Sequence, residues 1–216
     1  MGATVAVTGD VATEETARNV ARVLAETIGE REARADTKPL TPGICGLAAL
    51  LPAAPSGAMT LRLGFGDSDE PNLTGAYSVG DTPVIDVLMP AEPSEGHLWV
   101  AVADVTGKLY NLLPRLNQPT SAIADLGTVS GGLRRVRVTY GAAEAREDPA
   151  ARLRFQIDDS FGTSLILALR TDRPLFDTLR PTEETIPSFA QDLAAALDRG
   201  GAMVEAITTQ PLVSRK

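Results

Sequence analysis

The hydrophobic pattern near the N-terminus predicts a strand followed by a helix. Residues 3–8 alternate apolar and polar positions as a β-strand does, and Gly9-Asp10 has the composition of a turn. Thr13 can cap the helix and Gly29 can end it. The apolar positions that recur at helical spacing between them are Ala17, Val20, Ala21, Leu24 and Ile28. One strand and one helix cannot bury a core, so we expect this unit to dock on another structure.

After a boundary region, the period of the hydrophobic pattern changes to two residues, which is typical of β-strands. Residues 38–58 are rich in proline, glycine and alanine, which places an N-terminal strand-helix domain at 1–40 and a second domain at 41–216. An apolar insert at 44–51 is interpreted as a short helical turn. Alternating or continuously apolar runs then predict strands at 59–63, 84–89, 98–102, 109–113, 136–140, 153–157 and 165–169.

A hairpin turn and a late helix complete the prediction. Residues 104–107, Asp-Val-Thr-Gly, have the composition of a hairpin turn. Ser188 and Gln191 fit a capping box for a helix that Gly200-Gly201 would end, and 203–207 is read as a closing strand. The pattern predicts an α+β fold: a β-sandwich with an N-terminal strand-helix unit and one late helix.

Composition narrows the classes of function. The formal net charge is −8, and an acidic surface repels phosphate backbones, so nucleic acid is not an expected partner. The single cysteine, Cys45, allows no intramolecular disulfide and is interpreted as a buried thiol. The chain enters a strand pattern directly after Met1, without a targeting segment. We therefore expect a domain of a longer exported or membrane-anchored protein, periplasmic or extracytoplasmic, with a cytoplasmic protein as the alternative.

Candidate chemistry is sparse along the chain. His97 is the only histidine, interpreted as a solvent-facing histidine of an edge strand, and no Gly-x-Ser-x-Gly elbow occurs, so we predict that the chain is not an enzyme. The oxygens of Asp67, Asp69, Glu70 and Asn72 lack complete calcium-loop spacing and are read as a solvated loop without a metal. No phosphate-binding loop is present, so no cofactor is expected.

Four arginines form the candidate binding site. Arg135, Arg137, Arg152 and Arg154 alternate with the apolar residues of two predicted strands. If those strands pair, one sheet face carries an arginine cluster that could bind carboxylates, phosphates or an acidic partner. The alternative interpretation is a solvated face balanced by nearby acids such as Glu144 and Glu147.

The central part of the chain resembles a known family. The resemblance covers about residues 75–180 and depends on an aromatic strand, an Asp-Gly-type turn and a strand that ends in Leu-Leu-Pro. The segments that carry it are 80–81, 97–102, 104–107, 109–114, 161–162, 165–169 and 173–176. They resemble a domain of unknown function found at the C-terminal end of bacterial serine/threonine kinases and caspase-like proteins. That family brings no catalytic residues and implies a sensory or interaction module.

The N-terminal segment resembles half of a BON domain, a small module of periplasmic and outer-membrane proteins associated with phospholipid. The matching residues are Val5, Val7, Gly9 and the helix that follows. The second half expected of that family, a glycine-valine pair and a valine-rich strand, is not evident in residues 30–38.

Together these observations predict a non-enzymatic recognition or scaffold module of a bacterial envelope-associated signalling or secretion protein. Its partner would be a protein or an anionic envelope ligand, with peripheral membrane association through the parent protein. One alternative is a carbohydrate- or peptidoglycan-binding β-sandwich, which the chain's nine aromatic residues, with Trp99 the sole tryptophan, disfavour. The other is a hydrolase, which the single histidine disfavours.

Overall fold

The computed structural model describes residues 4–11, 13–29, 31–53, 59–66, 68, 70–198 and 202–216. The chain divides into two compact units, Met1–Ala49 and Leu50–Lys216, called here the N-terminal unit and the C-terminal unit. The fold is α+β. Among the described residues, no helix is both long enough and apolar enough to cross a bilayer.

The N-terminal unit is built from two parallel strands and two helices. Its elements are β1 (Thr4–Val11), α1 (Glu14–Thr27), β2 (Glu32–Pro39) and α2 (Pro42–Leu50). The predicted cap is confirmed, since the Thr16 amide donates to Thr13 Oγ1 at 3.1 Å. The predicted turn at Gly9-Asp10 is wrong, because β1 stays paired with β2 as far as Val11.

The C-terminal unit contains two packed sheets that are almost entirely antiparallel. Its strands are β3 (Thr60–Phe65), β4 (Ala76–Ser78), β5 (Pro83–Pro90), β6 (His97–Ala103), β7 (Lys108–Leu113), β8 (Thr128–Ser130), β9 (Leu133–Arg137), β10 (Gly162–Thr171), β11 (Glu183–Thr185) and β12 (Val204–Arg215). The six-stranded sheet has the order β11-β7-β6-β10-β12-β4, with β4 parallel to β12. The four-stranded sheet has the order β3-β5-β9-β8. The helices are α3 (Ala142–Glu147) and α4 (Ile186–Asp198).

Strand alternation places the main core between the two sheets. Ile85 and Val87 of the four-stranded sheet, with Val100 and Ile166 of the six-stranded sheet, are fully buried in one apolar cluster. The other face of the six-stranded sheet is also buried. On that face, Trp99 of β6 stacks on Phe189 of α4 with ring centroids 4.8 Å apart. The central strands β6 and β10 therefore read as continuous apolar runs.

The C-terminal unit differs from the sequence prediction at several points, beginning with the segment after α3. Residues 152–158 form no regular strand, although Ile157 is buried and Leu153 and Phe155 are partly buried as the period of two predicted. The late helix begins at Ile186, and Thr185 rather than Ser188 is the cap, since Thr185 Oγ1 accepts from the Ser188 amide at 3.3 Å. The closing strand extends to Arg215, because β12 pairs along nearly the whole of β10.

Candidate functional site

The two arginines of β9 surround a buried carboxylate. Asp86 of β5 lies opposite Arg137 in the antiparallel register, and its side chain is only 3% exposed. Arg137 donates from Nε to Asp86 Oδ1 at 3.0 Å, and Arg135 donates to Asp86 Oδ2 at 2.5 Å. Arg137 also donates to Glu144 Oε1 at 2.6 Å. Burial lowers the pKa of Arg137, but its bonds to Asp86 and Glu144 outweigh that effect and raise the pKa overall.

Arg152 and Arg154 lie on residues 152–158, which form no strand, so the predicted pairing of two arginine-bearing strands is wrong. Arg152 still approaches this pair, since it donates from Nη1 to the Glu144 carbonyl at 2.9 Å. Strand β9 pairs with β5 and β8 instead. Arg152 is bonded to Glu147 at 2.5 Å and stacks over the Tyr140 ring at 5.6 Å from its centroid. Arg154 is exposed and donates to Gln156 Oε1 at 3.1 Å. Three of the four arginines therefore already have carboxylate partners, and an anionic ligand would have to displace those partners.

A groove opens between the irregular segment 152–158 and the six-stranded sheet. Hydrogen bonds tie the segment to residues outside that sheet: the Tyr140 amide donates to the Leu153 carbonyl at 2.9 Å, and the Ile157 amide donates to the Asp81 carbonyl at 2.9 Å. The space left beside β7 has a volume of about 350 Å³. We call it the apolar groove. Its apolar lining consists of Val102, Tyr110, Leu112, Leu153, Phe155, Ile157 and Leu212.

The mouth of the apolar groove is acidic. Asp104, Asp158 and Asp159 line it, whereas no lysine or arginine is among its lining residues in the described part of the chain. Asp104 is held rigidly, because its carboxylate accepts from the Val105 amide at 2.7 Å and from Ser164 Oγ at 3.2 Å. Asp158 and Asp159 are exposed. The groove therefore combines apolar walls with a negatively charged rim.

Tyr110 supplies the aromatic wall on the β7 side of the apolar groove. Burial raises the pKa of its phenol above the ordinary value, and the nearby Glu183 carboxylate adds to the increase. The phenol therefore stays protonated through the neutral range. An uncharged phenol suits both the apolar walls and the acidic rim.

The sequence interpretation placed His97 on an edge strand, and this is wrong. Strand β6 lies between β7 and β10, and His97 is half-buried at its start. His97 Nδ1 lies 2.9 Å from Ser121 Oγ, and both residues line a cavity of about 210 Å³. In the part of the chain described, no hydrogen bond joins His97 to a carboxylate, so the orienting acid of a catalytic triad is not seen there.

The loop considered for calcium falls partly outside the described residues, which omit Asp67 and Asp69. Asn72 is 5% exposed, and its Oδ1 accepts from the Gly75 amide at 3.0 Å and from the Thr74 hydroxyl at 2.9 Å. These bonds fix a local turn. Within the described ranges, no three His, Cys, Asp or Glu side chains cluster so as to hold a metal ion.

Sequence reasoning found part of these sites. It placed Arg135 and Arg137 on one face but missed Asp86, which lies within the run predicted as the strand at 84–89. It assigned Leu153 and Phe155 to a strand core, and nothing local signals that they border a groove. Comparisons with protein-family models, with curated proteins and with solved structures found no match to this chain.

Proposed function

We propose that the C-terminal unit is a non-enzymatic β-sandwich recognition module that binds a partner polypeptide in the apolar groove. The observation that supports this proposal most directly is the groove itself, an apolar space of about 350 Å³ with a rim of carboxylates. Specific sites are typically concave and mostly apolar, with a few placed polar groups. The ligand class that fits is an apolar side chain flanked by a lysine or arginine.

Charge supports a basic partner over an acidic one. The rim carboxylates Asp104, Asp158 and Asp159 would attract a cation, and the net charge of −8 adds a long-range attraction. An anionic ligand at Arg135 and Arg137 is less favoured, because binding it would uncover the buried Asp86 carboxylate.

The alternative functions have less structural support. Carbohydrate sites commonly use an exposed aromatic platform, whereas Trp99 is 3% exposed and stacked on Phe189. A hydrolase would need an acid behind His97 and donors for an oxyanion in addition to the Ser121 hydroxyl. The bacterial envelope setting and an extracytoplasmic location stay predictions.

Peptide binding tests the proposal directly. The probe is a fluorescently labelled Lys-Leu-Lys-Leu-Lys peptide, compared by anisotropy with the charge-reversed Glu-Leu-Glu-Leu-Glu peptide. The 216-residue chain should bind the basic peptide, and Phe155→Ala should weaken that binding at every salt concentration. The double variant Asp158→Asn with Asp159→Asn should weaken it at low salt only, because exposed charges are screened at high salt.

The matched control is Asp125→Asn. Asp125 is an exposed carboxylate of the 3₁₀ turn Ile123–Asp125 and is not among the residues that line the groove. It should bind like the unaltered chain. Equal binding of both peptides, or binding that survives all groove variants, would refute the assignment of this groove as the binding site.

A further inference from the structure

Residues 152–158 have the geometry of an extended strand, although they pair with no described strand of either sheet. Their odd-numbered positions from Leu153 to Ile157 are partly or fully buried, whereas Arg154 and Gln156 are exposed. Arg154 also donates to the Gln156 side chain at 3.1 Å, so positions two residues apart lie on one face. Alternation of this kind indicates an extended backbone.

One edge of this extended segment is bonded to one end of the four-stranded sheet. The Leu153 carbonyl accepts from the Tyr140 amide at 2.9 Å. Ile157 donates to the Asp81 carbonyl at 2.9 Å and accepts from the Gly80 amide at 2.9 Å. These partners precede β5 or follow β9, and the antiparallel pairing of β5 with β9 brings those ends together. Backbone groups of successive residues in an extended chain point to opposite edges, so the odd-numbered residues of the segment face the end of the sheet.

The opposite edge of the segment is open. The amides and carbonyls of Arg154 and Gln156 point toward it, and none of them forms a hydrogen bond with another described residue. An unpaired edge of this kind is a template for another strand. Leu153 and Phe155 line the apolar groove, whose facing wall includes Tyr110 of β7. A strand added at the open edge therefore directs every second side chain toward the same groove.

We propose that the partner polypeptide binds as a β-strand along this open edge. It is bonded to the backbone of Arg154 and Gln156 and places every second side chain in the apolar groove. This inference rests on the function proposed above and specifies the conformation of the partner. In strand addition, main-chain hydrogen bonds give affinity and pockets for alternate side chains give selectivity. The partner is then an extended segment in which apolar residues alternate with polar ones.

The outward-facing side chains of the segment indicate which residues the added strand carries. Asp158 follows Arg154 and Gln156 in the exposed phase, and exposed Asp159 lies next to it. Side chains directly opposite each other in paired strands share a face, so the outward-facing residues of the partner lie beside this row. A lysine opposite Asp158 is favourable, whereas a lysine opposite Arg154 is unfavourable. We therefore expect the partner strand to be basic where it meets Asp158, in agreement with the acidic rim of the groove.

Backbone methylation of the probe peptide tests the proposal. In an added strand, the amides of alternate residues point to the open edge and the others point away from it. The comparison is between Lys-Leu-Lys-Leu-Lys methylated on its two leucine amides and the same peptide methylated on the amides of its second and third lysines. One set should weaken binding by about tenfold or more, and the other should change it by less than about threefold. Sensitivity of the lysine amides indicates antiparallel addition, and sensitivity of the leucine amides indicates parallel addition.

Charge reversal at Arg154 tests which residues lie beside the partner. Arg154→Glu places a carboxylate opposite a lysine of the probe peptide and should strengthen binding by about threefold or more. The matched control is Arg146→Glu, which makes the same change at an exposed position of α3 that does not line the groove. Equal gains from the two variants would assign the effect to overall charge and contradict a strand beside Arg154.

Amide hydrogen exchange of the unaltered chain gives an independent readout. Saturation with Lys-Leu-Lys-Leu-Lys should slow exchange at the Arg154 and Gln156 amides and leave the Phe155 amide, which faces the other edge, little changed. Binding of the unmethylated peptide with equal loss from both methylated sets, or without protection of Arg154 and Gln156, overturns strand addition and leaves the groove as the binding site. No binding of the unmethylated peptide refutes the groove assignment and strand addition together.

Discussion

Replacing Arg137 by glutamine should destabilise the C-terminal unit. Arg137 donates to Asp86 Oδ1 at 3.0 Å and to Glu144 Oε1 at 2.6 Å. Asp86 is 3% exposed and cannot regain water in place of a lost guanidinium. Glutamine cannot supply the positive charge that this buried carboxylate needs.

The expected loss of stability depends on how much positive charge still faces the Asp86 carboxylate in the variant. Removing one partner of a buried ion pair costs about 3–5 kcal/mol. Arg135 keeps its bond to Asp86, so we reduce the expected loss to about 2–3 kcal/mol. For a domain of this size, the same loss lowers Tm by roughly 5–10 °C. Arg154→Gln is the matched control, because Arg154 is exposed and donates to the uncharged Gln156, so its replacement should change stability by less than about 0.5 kcal/mol.

Urea unfolding followed through Trp99 fluorescence measures the difference. Trp99 is the only tryptophan and lies in the C-terminal unit, so the signal reports that unit. The double variant Arg137→Gln with Asp86→Asn should lose less stability than the two single variants combined, since it leaves no uncompensated carboxylate. Equal urea midpoints for Arg137→Gln and Arg154→Gln would refute the structural role of the Asp86 pair.

Three further outcomes are expected. Gly141→Ala should lower stability by about 1–3 kcal/mol in urea unfolding, because its Cβ would lie 2.0 Å from the Gly66 carbonyl oxygen; an unchanged midpoint would contradict that close approach. The Met203 amide lowers the pKa of Asp172, so this carboxylate stabilises the fold above the ordinary value of 3.8 and loses that effect as the pH falls through its lowered folded value. Asp172→Asn should flatten the acid side of the stability profile, and an unchanged profile would count against the contact. Finally, p-nitrophenyl acetate should hydrolyse no faster than in buffer, and a rate abolished by His97→Ala would revive the hydrolase alternative.

Local patterns predicted the elements whose signals are local. The Thr13 cap, the stripe of α1, the apolar run of β10 and the turn after Asp104 are all confirmed. Strand β2 was missed because charged residues occupy every second position from Glu32 onward, so its alternation carries little apolar signal. Its pairing with β1 is a long-range contact, which no local window shows.

The arginine site shows the same limit at the level of chemistry. Alternation correctly placed Arg135 and Arg137 on one face of β9. Their partner, Asp86, comes from β5 and becomes their neighbour only through the antiparallel register. The cluster that the sequence suggested as a binding surface is therefore held largely by internal ion pairs. A charge pattern predicts which side chains share a face but not which of them are already compensated.

The apolar groove was harder to predict, because its walls have the same sequence signal as a core. Leu153 and Phe155 alternate with arginines just as residues of a paired strand would. Their segment is bonded to Tyr140 and Asp81 instead of joining the six-stranded sheet, and this choice of hydrogen-bond partners opens the space beside β7. Period two fixes the direction of a side chain and leaves the distance to the facing layer undetermined. In this protein, that undetermined distance separates a filled core from an open groove of about 350 Å³.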